Sequence, residues 1–221
     1  MHSGRPITIC DRPLAGLRHI CCFYDSPQQL ASVFLPYLSE GLVSGEQVVC
    51  IFPKGEHTDL RAGLRDQGVD IEGAEAQSRF QLLTEDETYI SGGIFAKDRM
   101  ANMLRDVLEK ARGSSFPYVR TLGEMSWALR NLPGTADLVD YEHVLNELCH
   151  TYDCTLACAY DVNAFHGRVL ADALSTHSHL VLNGMIFENP HYLPPQEFKK
   201  FMARRKSGSG PLRAGAGGFG F

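Results

Sequence analysis

Three side chains of different chemistry follow one short β-rich run: Glu124, Ser126 and Trp127, the only tryptophan of the chain. A carboxylate and a hydroxyl beside a flat apolar face suit either acid–base chemistry or the wall of a small-molecule pocket. An equally direct reading makes Trp127 a core anchor and Glu124 a surface or capping residue. Other polar groups stand near the ends of apolar runs: His19, Tyr24, Asp25, Asp161, His177, Asn189, His191 and Tyr192. Asp25 and Asp161 both precede helix-like segments, where capping is the ordinary task of an aspartate. For His19 the plain alternative is a partly buried imidazole bonded to backbone.

Support for catalysis elsewhere in the sequence is thin. There is no G-x-x-x-x-G-K-[ST] phosphate loop, no G-x-G-x-x-G dinucleotide turn and no G-x-S-x-G elbow. Cys149, Cys154 and Cys158 with His150 invite a metal reading, but their spacing is no standard zinc pattern. His177-Ser178-His179 lacks a visible third ligand. The expectation is therefore no catalytic residue, no cofactor and no metal. The seven cysteines read as reduced thiols, in good part core residues, with the chain expected in the cytoplasm.

The elements that must position these residues alternate between strand and helix, which signals a mainly parallel sheet covered by helices. Strands are expected at 19–24, 47–52, 80–84, 118–123, 155–160 and 179–183, the last running on to Phe187. The first helix opens at Ser26-Pro27, with Gln29 completing a capping box and Pro36 a candidate kink. Further helices are read over 58–67, from an Asp98 cap to about Ala111, over 136–150 and over 165–176, with a short one from Gln196. In a parallel sheet the carboxyl ends of the strands share one edge, where ligands usually bind. Tyr24, Asp25, Glu124, Ser126, Trp127, Asp161, Asn189 and His191 would then meet on one rim. Trp127 and Tyr24 would supply its apolar wall, and Glu124 and His177 its polar contacts.

Length and composition bound the rest. The chain of 221 residues fits one large α/β domain plus tails: an extension over 1–16, a domain over 17–202 and a disordered Gly/Ser-rich tail over 203–221. A net charge of −5 argues against direct nucleic-acid or membrane binding, and no stretch approaches the roughly 20 apolar residues that span a bilayer.

Several blocks together resemble the MEDS domain, the methanogen/methylotroph DcmR-type sensory domain. They are His19-Ile-Cys-Cys-Phe-Tyr-Asp25, Tyr37 to Glu46, and Gly123-Glu-Met-Ser-Trp-Ala-Leu129. Tyr141-Glu142, Leu145-Asn146, Tyr160-Asp161, Asp172-Ala-Leu174, Thr176-His177 and the segment Asn189-Pro190 to Pro194-Pro195 complete the set. The resemblance covers about residues 17 to 200. It implies a RecA/KaiC-like three-layer core without a phosphate-binding loop. It also implies the sensing of a small organic molecule, a simple hydrocarbon derivative, in signal transduction. Leu17-Arg18 stands where the family usually has Gly-Asp, and no output domain follows. Output is then expected through a partner protein: a kinase, an anti-sigma factor or a transcription factor. A ligand-free interaction module and a degenerate RecA-like nucleotide-binding protein are the alternatives.

Overall fold

The computed structural model describes residues 7–114, 116 and 118–206. A hairpin of β1 (Thr8–Ile9) and β2 (Arg12–Pro13) leads into β3 (His19–Tyr24). Then come α1 (Pro27–Val43), β4 (Gln47–Ile51), α2 (His57–Asp66), α3 (Ile71–Ala76) and β5 (Phe80–Leu83). The second half holds α4 (Lys97–Arg112), β6 (Val119–Glu124), α5 (Leu138–Thr151), β7 (Cys154–Asp161) and α6 (Gly167–Thr176). Strands β8 (His179–Leu182) and β9 (Met185–Glu188) and helix α7 (Pro195–Lys206) close the described chain.

Seven strands form one sheet in the order β5-β4-β6-β7-β3-β8-β9, parallel except for the antiparallel β8–β9 pair. The inner strands β3, β4 and β6 are buried along their whole length, as strands covered on both faces must be. One core layer packs α1, α2 and α3 on the face that carries Ile20, Cys22, Tyr24 and Leu122. The other packs α4, α5 and α6 on the face of Cys21, Phe23, Leu156, Cys158 and Tyr160. Alternation along each strand divides the side chains between these layers.

Most elements form where the apolar periodicity predicts, with local corrections. Ser26 caps α1 by accepting from the Gln29 amide at 3.3 Å, while Gln29 Oε1 accepts from the Asp25 amide rather than from that of Ser26. Helix α4 starts at Lys97 with Asp98 already inside its first turn, so Asp98 serves the helix dipole and does not cap. Helix α3 has no counterpart in the apolar pattern, being one short turn-and-a-half capped by Asp70 on the Gly73 amide. Asp161 ends β7 and accepts from the Asn163 amide at 2.8 Å, whereas α6 is capped by the His166 imidazole.

The last strand does not run on. Asn183 and Gly184 both have positive φ and turn it back as β9, the geometry of a two-residue hairpin. This reversal returns Asn189 to the beginning of β8, where its Nδ2 donates to the carbonyls of Leu174 and His177 at 2.7 Å. Asn189, and with it His191, therefore leaves the rim at which a parallel continuation would have put it. Of the N-terminal extension, Ile7, Ile9 and Leu14 are buried against the α1 layer. The tail from Ser207 lies outside the described residues.

Candidate functional site

The expected rim divides into three separate places. At the carboxyl edge, on the α1 face, Glu124 is 3% exposed and fully engaged. Its Oε1 accepts from the Tyr24 hydroxyl at 2.9 Å, and its Oε2 accepts from the amide and hydroxyl of Ser126. The tight step from β6 into the following 3-10 turn brings the Ser126 amide back onto that carboxylate. Burial pushes the Glu124 carboxyl above its ordinary value, against these hydrogen bonds. Burial and the neighbouring Glu124 likewise raise the Tyr24 phenol. Asp161 stands at the same edge, partly exposed, on the neighbouring strand.

Beside this pair, α1 and α2 splay apart over a cleft of about 210 Å³. Leu30, Phe34, Leu35, Phe52 and Leu60 form its apolar walls, Ala31 lines it from α1, and Glu56 and Asp59 stand on its rim. Partial desolvation and the nearby Glu124 raise the Glu56 carboxyl. The cleft thus sets the carboxylates of Glu56 and Asp59 against an apolar interior. A larger depression of about 370 Å³ lies by the amino ends of β6 and β7, lined by Arg112, Phe116, Tyr118, His150 and Thr151.

Trp127 sits elsewhere. Its ring stacks on Tyr89 at 4.7 Å and leans on Phe95 at 4.5 Å, inside the α4–α5 layer and 1% exposed. Trp127 and Tyr24 are thus on opposite faces of the sheet and do not form one wall. Trp127 is a core anchor of the kind that the sequence left open as the plainer reading.

His19 and His177 make the third place. His19 opens β3 and His177 precedes β8, so both belong to the amino half of the sheet, on the α5–α6 face. His177 consequently cannot share polar contacts with Glu124. The two imidazoles lie with ring centroids 3.9 Å apart and converge with Glu142 of α5 and Cys158 of β7, all four buried. Glu142 Oε2 is 3.2 Å from His19 Nε2, 3.4 Å from His177 Nε2 and 3.4 Å from the Cys158 sulfur. The Tyr160 hydroxyl donates to Glu142 Oε1 at 2.6 Å. Burial raises the Glu142 carboxyl, yet the imidazoles of His177 and His19 and the Tyr160 hydroxyl outweigh it and hold the group below its ordinary value. Burial, with the neighbouring His19, takes His177 down to about 3, against the pull of Glu142. Its buried Nε2 faces the Glu142 carboxylate and has no hydrogen-bond partner among the described residues. Sequence reasoning missed Glu142 and Cys158 as partners because their neighbours in the chain carry no metal-like or triad-like spacing; helical and strand phase alone turn them inward.

Arg120 is the other residue the sequence left unremarked. Fully buried in the middle of β6, it donates to Glu46, Glu40 and the Tyr37 carbonyl and lies over the Tyr37 ring at 4.6 Å. A lone cation in an apolar run was the available signal. Its pairs fix α1 to the sheet, and its partners Tyr37 and Glu40 also line a shallow depression of about 340 Å³ beside the β1–β2 hairpin.

No helix among the described residues is long and apolar enough to cross a membrane. The solved structure of a KaiC-like protein from Pyrococcus horikoshii OT3 superposes with a TM-score of 0.54 at 14% identity, over 81% of this chain and 78% of that one. The α/β three-layer fold is therefore of the KaiC-like, RecA type. The transcriptional repressor DcmR of Methylorubrum extorquens is 27% identical over 162 residues, which are 72% of this chain and 57% of the repressor. This chain thus spans little more than half of that relative's length. The family model described as the methanogen/methylotroph, DcmR sensory domain matches residues 18–178. The chain therefore belongs to the MEDS family of sensory domains.

Proposed function

We propose that this domain senses a small organic molecule in the cleft between α1 and α2 and passes the bound state to a partner protein. A kinase, an anti-sigma factor or a transcription factor is the class of partner in view. The observation that carries the reading is an apolar cleft of about 210 Å³ whose lining includes Leu122 of β6, two residues before Glu124, and Glu56, whose carboxyl feels the Glu124 charge. Its size is below the ~300–1,000 Å³ common for drug-sized ligands, which favours a simple hydrocarbon derivative. The acidic rim of Glu56 and Asp59 favours a hydrogen-bond-donating or cationic end, such as an alcohol or amine. The turn from β3 into α1 is two residues long, and Ser26 already occupies the Gln29 amide there; little is left to cradle a phosphate. Output arises only if the ligand binds one arrangement of α1 and α2 more tightly than another.

Native mass spectrometry of the purified protein for retained small molecules, followed by calorimetric titration with simple alcohols and amines, tests the proposal. Ala31→Leu fills the cleft from the α1 side with a good helix former. Affinity should drop about 5- to 150-fold while the fold stays intact, since a well-packed intruder costs a ligand on the order of 1–3 kcal/mol. Unchanged affinity would remove the cleft from the mechanism.

A further inference from the structure

Away from that cleft, four ligating atoms from four parts of the chain meet inside the α5–α6 layer, all within 4.8 Å of one another. The separations are 3.2 and 3.4 Å from Glu142 Oε2 to the two imidazole Nε2 atoms, 3.4 Å from Oε2 to the Cys158 sulfur, and 3.8 Å from that sulfur to His19 Nε2. A tetrahedral zinc with bonds of ~2.0–2.3 Å needs ligand atoms about 3.2–3.8 Å apart. These four of the six edges match that figure, and the other two, from His177 Nε2 to His19 Nε2 and to the Cys158 sulfur, lie within 4.8 Å.

Hydrogen bonds outside the cluster fix which atoms face inward. His177 Nδ1 lies 2.7 Å from the Ala173 carbonyl, an acceptor, so Nδ1 donates outward and Nε2 is the atom turned into the cluster. His19 Nδ1 faces Asn146 Oδ1 at 3.1 Å and the Thr176 carbonyl at 3.2 Å. The Asn146 orientation is set in turn, since its Nδ2 donates to the Thr176 carbonyl at 2.7 Å. His19 Nδ1 is therefore also a donor. Tyr160 takes Oε1 of Glu142 and leaves Oε2 for the interior. Such bonds to the outward atoms of the ligands are what orient metal-binding imidazoles and carboxylates.

Without a cation the arrangement has a defect. His177 Nε2 is buried, points at a carboxylate oxygen 3.4 Å away, and has no donor. A Lewis acid between that nitrogen and the carboxylate oxygen gives both a partner. Charge closes as well: a divalent cation with one carboxylate, one thiolate and two neutral imidazoles is neutral overall, which suits a buried site.

We propose that His19, Glu142, Cys158 and His177 form a closed, four-coordinate site for a d-block divalent cation of the zinc class. Two imidazoles, a thiolate and a carboxylate make a borderline donor set that selects such ions over magnesium or calcium. On binding, the metal–sulfur bond replaces the Cys158 S–H bond and the proton leaves to solvent. With all four positions filled by the protein, the site ties β3, α5, β7 and the α6–β8 junction together.

The test is reconstitution of the full chain after chelation, with zinc and then with cobalt(II) as a spectroscopic probe. One equivalent should bind, with a sulfur-to-cobalt charge-transfer band and the intense visible bands of a four-coordinate ion. Cys158→Ser should abolish the charge-transfer band, whereas Cys10→Ser, at a distant turn, should leave it in place. Glu142→Gln should lower affinity by more than about a hundredfold, beyond what loss of an outer hydrogen bond alone costs. Should the Cys158 variant fail to fold, Asn146→Ala keeps all four ligands and should weaken binding ~10–100-fold by releasing His19. Failure of the folded chain to bind either ion stoichiometrically overturns the site. So does a charge-transfer band that survives Cys158→Ser, or an affinity that Asn146→Ala leaves unchanged.

Discussion

At the residue scale, Glu124 shows how much a carboxyl can be satisfied and still be held away from its ionised form. It accepts three hydrogen bonds, yet burial keeps its folded value above the ordinary one. A raised value means the fold binds the proton more tightly than the unfolded chain does. Stability from this group is therefore complete below the ordinary glutamate value and is lost as pH rises through the folded one. Urea unfolding at a series of pH values should show that loss in the parent protein. In Glu124→Gln the slope over the same window should flatten, since the amide does not titrate. A slope unchanged by the substitution would place the titration on another group. Only the candidacy of Glu124 was legible in the sequence. Its partner Tyr24 lies 100 positions away, and nothing local in the chain brings a phenol on one strand against a carboxylate on another.

At the element scale, the strand-to-turn step at β6 explains the residue order Gly123-Glu124-Met125-Ser126-Trp127. A Cβ at Gly123 would collide with the Tyr89 hydroxyl, the ring that stacks on Trp127. Glycine at this position lets the aromatic stack close directly on the strand, while the next residue turns its carboxylate to the opposite face. Gly123→Ala should displace Tyr89, costing about 1–3 kcal/mol as overpacking does. Because Trp127 is the only tryptophan, its emission should shift in the same variant, and an unaltered spectrum with unaltered stability would refute the account. This element also shows where pattern reading ends. The strand and its glycine were visible in the sequence, whereas the face on which Trp127 lands depends on a short 3-10 turn that apolar periodicity does not encode.

Across the whole molecule, α7 returns to pack on α5, with the Phe198 ring stacked 4.5 Å from the His143 imidazole. Burial lowers the His143 value, partly offset by Glu147 and Asp140 on its own helix and reinforced by Lys199 on α7. A depressed histidine keeps its full stabilising effect above its ordinary value of 6.5 and loses it as pH falls toward the folded one. Protection factors of the α7 amides, which correct for the pH dependence of intrinsic exchange, should therefore fall below that pH, and His143→Phe should keep them high. Equal protection factors at pH 7 and pH 5 would show that α7 is held by other contacts. The central strands pair across very long sequence separations, β3 with both β7 and β8. The two ends of the chain must meet before the sheet closes, which makes this a slow-folding topology by its contact order.

Apolar periodicity and turn residues by themselves determined the alternation of elements, the burial of the inner strands and the capped start of α1. Each of those depends on neighbours within a few positions. The sorting of polar residues into an edge cleft on one face and a His–Glu–Cys cluster on the other was decided only by the tertiary structure. A single reversal at Asn183-Gly184 moved Asn189 away from the rim, and strand order set His19 beside His177. Helical phase on α5 then turned Glu142 inward to meet them. The physical reason is that a buried polar group is assigned its role by the partners that satisfy it, and here several of those partners lie 100 or more positions apart, as Tyr24 does from Glu124 and His19 from Cys158.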